Sequence, residues 1–192
     1  MKNLMVLDSR NIETNQQRMF NLMSCAIIMK ISHEEMDINL HPEKLAFLGV
    51  EMDKRLSNNM FIMSLFSTDF EFMGNAHITR QIGKSDFFIE SIFIRNDMRG
   101  RGLGTTLLRY IINKCPNIGA ITFKENLSFF KKQGFCVAEQ WSGDFLMKDA
   151  RDAHPEGIFF IKKGVVSKKS IDRKHKMYIC QSDFVKNMYD KS

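Results

Sequence analysis

Residues 96–110, NDMRGRGLGTTLLRY, place Gly100, Gly102 and Gly104 within five positions and then run directly into an apolar helical pattern. A helix start leaves several backbone N–H groups without intrahelical partners and carries the positive end of the helix dipole, so it attracts phosphate. Side chains on the approach would hold an anion away from those donors, and glycines remove that obstacle. The chemistry expected of Arg99, Gly100, Arg101, Gly102, Leu103, Gly104 and Thr105 is contact between a diphosphate and bare backbone. Two familiar loops do not fit. No Gly-Lys-Ser/Thr follows the glycines, which excludes the mononucleotide P-loop. Thr105 stands where a dinucleotide fingerprint needs its third glycine, and no acidic residue ends a strand about twenty positions on.

Upstream of the loop, Glu90 is a lone carboxylate among Phe87, Phe88, Ile89, Ile92 and Phe93. Partial desolvation there would ready it to accept a proton near neutral pH, either directly or through water. The alternative is a solvated charge on an edge strand. His33, Glu34, Glu35 and His41 lack the HExxH spacing, and the four cysteines, Cys25, Cys115, Cys136 and Cys180, include no CxxC pair, so neither a metal site nor a disulfide framework is expected. His77 is expected as a hydrogen-bonded structural histidine near Arg80, and the methionines as core.

The elements that must position these residues follow from hydrophobic periodicity. LMVLD at 4–8 reads as a strand, and helices are expected over 14–29 and 41–56. MFIMSLF and EFMGNAHITR, joined by Ser67, Thr68 and Asp69, form the pattern of a hairpin, with Gly74 marking a bulge. DFFIESIFI is a third strand. Leu103, Leu107, Leu108, Ile111 and Ile112 form one stripe of a helix that Pro116 and Asn117 end. GAITF is a strand, NLSFFKKQ a short helix closed by Gly134, and FCVAEQ with DFLMK a last hairpin. Beyond Ala150, GIFFIKKG and KMYIC are read as an accessory hairpin. This order makes a mixed α/β (α+β) sheet covered by helices, not a regular βαβ repeat.

The chain has 192 residues, 44% of them hydrophobic, enough for a core without staples. Of the net charge of +6, most lies in residues 151–192, with ten Lys/Arg against five Asp/Glu. Arg173, Lys174, His175 and Lys176 are read as a solvated face; no aromatic-interleaved basic groove accompanies them, and a nucleic-acid partner is not expected. No apolar run is long enough to cross a bilayer, so no membrane partner is expected and a cytoplasmic location is, with the nucleus not distinguished from it.

Arg99, Gly102 and Gly104 fit RxxGxG, and the stretch resembles the acyl-CoA pyrophosphate loop of the GNAT acetyltransferase superfamily. FFKKQGF at 129–135 resembles that superfamily's second signature. The resemblance covers roughly residues 60–149 and implies a central, mostly antiparallel sheet with flanking helices and a splayed strand pair that holds acyl-CoA. It implies a catalytic domain over 1–149, a basic extension over 150–192, and acetyl-CoA as cosubstrate. It assigns Ile92, Phe93 and Ile94 to the pantetheine arm, Arg99 through Thr105 to the pyrophosphate, and Asn126 and Phe130 to the neighbourhood of the cofactor. A backbone N–H near Phe93 becomes the oxyanion donor. Phe130 stands where many relatives carry a tyrosine that protonates the departing thiolate.

The spacing is also similar to that of glucosamine-6-phosphate N-acetyltransferases. That resemblance implies an amino-sugar phosphate acceptor, Glu90 and Ser91 on the substrate side, and a homodimer. Ser91 replaces an acidic residue of that pattern. Arg80, Lys84, Arg95 and Lys124 are the candidates for meeting a 6-phosphate. Protein lysine and polyamine acetyltransferases are the alternatives, the histone-type base falling at Phe88, as is a non-catalytic acyl-CoA sensor.

Overall fold

The computed structural model describes residues 4–8, 60–69, 71–81, 85–144 and 148–189. The helices expected over 14–29 and 41–56, together with His33, His41 and Lys84, lie outside the described residues. The chain divides into two compact units, one of residues 1–82 and 89–111, the other of 83–88 and 112–192.

In the first unit β1 (Leu4–Asp8), β2 (Met60–Ser67), β3 (Phe72–Arg80) and the larger part of β4 (Phe87–Ile94) are neighbours in that order. β1 and β2 pair antiparallel from Leu4↔Ser67 to Asp8↔Met63, and β2 and β3 form the expected hairpin from Met60↔Thr79 to Phe66↔Phe72. Its turn is tied by Ser67 Oγ, which accepts the N–H groups of Asp69 at 3.2 Å and Glu71 at 3.1 Å. β2 is buried at almost every position, which explains why it reads as a continuous apolar run with no alternation.

The expected bulge is present. The register steps from Leu65↔Gly74 to Phe66↔Phe72, leaving Met73 as the extra residue. Gly74 has its own reason to be glycine: a Cβ there would lie 2.3 Å from the Phe93 carbonyl oxygen. Gly74→Ala is therefore expected to push β4 off β3 and to cost about 1–3 kcal/mol, read by denaturant unfolding.

After β4, α1 (Leu103–Lys114) buries Leu103, Leu107, Leu108 and Ile111, the stripe expected from their spacing. In the second unit lie β5 (Ile118–Thr122), the short α2 (Leu127–Lys131), β6 (Cys136–Trp141), α3 (Lys148–Ala153), β7 (Ile158–Lys163) and α4 (Lys168–Tyr189). β7 pairs antiparallel with both β5 and β6 and sits between them. Phe160 on β7 packs edge-on to Phe88 at 6.0 Å and at a tilt against Trp141 at 5.6 Å, in a core with Ile158, Val166 and Ile171.

Three expectations for this region are corrected. FCVAEQ pairs with β7, and of its expected partner DFLMK the residues Phe145, Leu146 and Met147 lie outside the described residues while Lys148 already begins α3. GIFFIKKG is an interior strand, while KMYIC lies within α4, where Ile171, Lys174 and Tyr178 recur at helical spacing on the inner side. Both hairpin readings paired runs that are adjacent in sequence, whereas β7 reaches past α3 to its partners. Nor is the run 173–176 a solvated face. Lys174 is buried over the Phe88 ring at 5.6 Å, and His175 stacks on Trp141 at 4.2 Å, because helical periodicity divides a contiguous run among different faces.

α4 is fastened at its start. Asp86 is buried and accepts from Ser167 N–H at 3.4 Å, Ser167 Oγ at 3.2 Å and Ser170 Oγ at 2.5 Å.

Candidate active site

A single-turn helix, Asn96–Met98, carries the chain from β4 to the glycine-rich loop. The approach is pinned by Arg95, whose Nη1 donates to Glu71 Oε1 and to the Phe72 carbonyl at 2.9 Å and whose Nη2 donates to Asp97 Oδ2 at 2.6 Å. Arg99 Nε donates back to the Ile94 carbonyl at 3.1 Å. Met98 before the glycines and Leu103 after them are buried with Leu65 and Met73, and Val6 and Ile94 pack against the cluster. Burying side chains of this size contributes about 1.5–3 kcal/mol each, so both ends of the loop are held.

Between those anchors Gly100 and Gly102 both adopt φ +77°, and a Cβ at either would meet nothing within 4 Å. Left-handed backbone and open space above it are what a loop needs to bring main-chain N–H groups against a ligand. Gly104 is not left-handed; it lies within the first turn of α1. The Thr106 N–H donates to the Gly102 carbonyl at 3.0 Å, so the N–H groups of Leu103, Gly104 and Thr105 precede the first helical hydrogen bond. With Arg99 and Arg101 exposed beside them, these residues fit a diphosphate.

On β4, Glu90 is exposed and accepts a hydrogen bond from Thr79 Oγ1 at 2.5 Å. The desolvation expected from its apolar neighbours in sequence is not there. Phe88 and Ile89 are buried, but the Glu90 side chain itself is not. Ser91, Ile92, Phe93 and Ile94 are half-buried.

Next to Thr79 on β3 the polar residues continue. Asn75, His77 and Thr79 alternate along the strand and so share a face, and the register sets Ser64 directly opposite Asn75. Ser64 and Asn75 are fully buried and His77 is 4% exposed. Ser64 Oγ, Asn75 Oδ1, Asn75 Nδ2 and His77 Nε2 have no hydrogen-bond partner among the described residues. The expected hydrogen-bonded structural histidine is thus corrected at this nitrogen. Burial lowers the His77 imidazole to about 4, opposed by the nearby Glu90 carboxylate, so it is neutral through the physiological range. An unpaired buried donor or acceptor costs about 1–3 kcal/mol, and four in one row is an unusual concentration.

The second signature belongs to the other unit. Phe130 is buried, edge-on to Phe129 at 5.1 Å and to Phe135 at 5.3 Å, and its carbonyl accepts the N–H groups of Gln133 and Phe135. Asn126 is exposed at the start of α2 and makes no side-chain cap hydrogen bond.

The sequence profile described as the acetyltransferase (GNAT) family matches residues 32–135, more than half of the chain. The chain belongs to the GNAT acetyltransferase family. Among curated proteins no sequence matches it. Many solved structures share the mixed α/β GNAT fold of seven strands and flanking helices. The spermidine/spermine N-acetyltransferase SpeG from Vibrio cholerae is 12% identical, with a TM-score of 0.61 over 89% of this chain and 98% of that one. Escherichia coli ElaA is 14% identical, with a TM-score of 0.55 over 85% and 100%. Arabidopsis thaliana Naa50, in complex with the bisubstrate analogue CoA-Ac-MVNAL, is 15% identical, with a TM-score of 0.54 over 84% and 99%.

This GNAT chain is an acyltransferase, and acetyl-CoA, which supplies the activated acetyl group, is its cosubstrate. Reading the GNAT motifs alone misses the residues that hold the site in shape: Thr79 on Glu90, Arg95 at the end of β4, and Met98 beneath the loop. Two of them leave a trace in the sequence. Met98 is an apolar residue in a polar loop, and GNAHITR places polar side chains at every second position of an otherwise apolar strand.

Proposed function

We propose that this GNAT enzyme transfers acetyl from acetyl-CoA to the primary amine of an amino sugar by direct attack, with glucosamine 6-phosphate as the acceptor. Glu90 carries this reading. It is an exposed carboxylate oriented by the Thr79 hydroxyl, on the strand that leads into the glycine-rich loop. As general base it removes the ammonium proton, the neutral nitrogen forms its bond to the acetyl carbon as the bond from that carbon to sulfur breaks, and the proton the acylated nitrogen then sheds passes, directly or through water, to the departing thiolate to give the amide and CoA thiol. The spacing of Ile89-Glu90, the loop and the Asn126 to Phe135 segment supports the amino-sugar acceptor. Arg95 and Lys124 do not serve a 6-phosphate readily, because Arg95 is paired with Glu71 and Asp97 and Lys124 with Glu156. A homodimer and a cytoplasmic location are part of the same proposal.

The names of SpeG and Naa50 supply the other acceptors worth testing, a polyamine and a peptide N-terminus. Purified protein with acetyl-CoA is expected to release CoA thiol with glucosamine 6-phosphate and not with spermidine or a peptide. The reverse preference would overturn the acceptor. A melting temperature raised by acetyl-CoA with no turnover of any amine would replace the enzyme with a sensor.

A further inference from the structure

We propose that Arg95 is a positioning residue for acetyl-CoA: it holds the Asp97 carboxylate away from the glycine-rich loop, so that the loop meets an incoming diphosphate without a competing anion. The inference rests on the reading of residues 99–105 as the diphosphate site and adds what keeps that site receptive. Asp97 stands in the single turn that feeds the loop, two residues before Arg99, and its side chain is 57% exposed. Carboxylates bind the open N–H groups of helix starts, so an aspartate beside this one is itself a candidate ligand for them. Released, it would repel the diphosphate or take its place.

The hydrogen bonds show how it is held. Arg95 Nε donates to Asp97 Oδ1 at 3.1 Å and Nη2 to Oδ2 at 2.6 Å, so one guanidinium fork engages both carboxylate oxygens. Nη1 is spent on the hairpin turn, donating to Glu71 Oε1 and to the Phe72 carbonyl, each at 2.9 Å. The Arg95 N–H donates to the Met73 carbonyl at 3.0 Å, so its main chain and side chain grip successive carbonyls at the β3 bulge. Asp97 is thereby tied to the β2–β3 turn, and the space above Gly100 and Gly102 stays open. Lysine would not replace this arginine, because an ammonium is a point charge and these contacts need a planar fork. Charge points the same way. Arg95 offsets one of the two carboxylates it pairs with, and its loss would leave both Glu71 and Asp97 uncompensated beside the loop.

The test is calorimetric titration of the full chain with acetyl-CoA, which needs no acceptor, for wild type, Arg95→Gln, the double variant Arg95→Gln/Asp97→Asn, and Gly102→Ala. Arg95→Gln is expected to raise the Kd about tenfold at low salt, the scale of one unshielded like charge beside a bound anion. Adding Asp97→Asn should return the Kd to within about threefold of wild type, and added salt should narrow the gap between Arg95→Gln and wild type. An arginine that merely props the fold predicts neither, since removing its partner as well would restore nothing. Arg95→Gln with a wild-type Kd, or with a raised Kd that Asp97→Asn leaves in place, would overturn the role of Arg95; if Gly102→Ala still weakens binding, the loop reading stands without it. Wild type with no affinity for acetyl-CoA, or Gly102→Ala with wild-type affinity, removes the loop reading and the role of Arg95 together. Should Arg95→Gln fail to fold, Arg95→Lys takes its place: it keeps a charge and loses the fork, with a rise in Kd of about fivefold expected and the same rescue by Asp97→Asn deciding the matter.

Discussion

Glu90→Gln is expected to lower kcat at neutral pH by about a hundredfold or more, the usual scale for loss of a positioned general base. Glutamine keeps the shape and can still accept a hydrogen bond from Thr79 through its carbonyl, so folding and acetyl-CoA binding should be unaffected. What it loses is a site for the amine proton. Thr79→Val removes only the donor that orients the carboxylate at 2.5 Å, and its effect on kcat should be smaller than that of Glu90→Gln. CoA thiol release measured beside calorimetry with acetyl-CoA separates the two quantities. An unchanged kcat in Glu90→Gln would remove the residue from the mechanism.

Gly102→Ala is expected to weaken acetyl-CoA binding by about tenfold to a hundredfold, the worth of one or two backbone hydrogen bonds to a charged diphosphate. The physical reason has two parts. At φ +77° an L side chain is strained, which costs the folded protein about 1–2 kcal/mol. The added methyl meets no protein atom within 4 Å, so it is not a packing defect; it occupies the open side of the loop, where a ligand would approach the amides. Calorimetry gives the affinity and denaturant unfolding gives the stability. A variant with the expected stability loss and wild-type affinity would place the diphosphate elsewhere.

These two residues also show how far a linear reading reaches. Gly100 and Gly102 were legible because a turn at positive φ demands glycine and a helix start follows at once, and both facts lie within a few residues of sequence. Glu90 was legible as a carboxylate in an apolar strand, but its exposure was not. Whether a strand residue is covered depends on the elements packed over its face, which the apolar residues flanking it in sequence do not reveal. From the sequence alone His77 reads as a hydrogen-bonded histidine, for a similar reason. Its environment comes from Ser64 and Asn75 through pairing, and from Glu90 on another strand.

By itself the sequence determined the β2–β3 hairpin with its bulge, the buried stripe of α1, the anion-ready loop and the resemblance to GNAT enzymes, all of which depend on periodicity, turn chemistry and short-range spacing. Only the tertiary structure decided that β7 runs between β5 and β6, that the basic run at 173–176 turns Lys174 and His175 inward, that Thr79 holds Glu90, and that Ser64 Oγ, the Asn75 carboxamide and His77 Nε2 are buried without a hydrogen-bond partner among the described residues. Each of these joins residues far apart in the chain or on different faces of one element. Such contacts are set by strand pairing and side-chain packing, to which local propensity is blind.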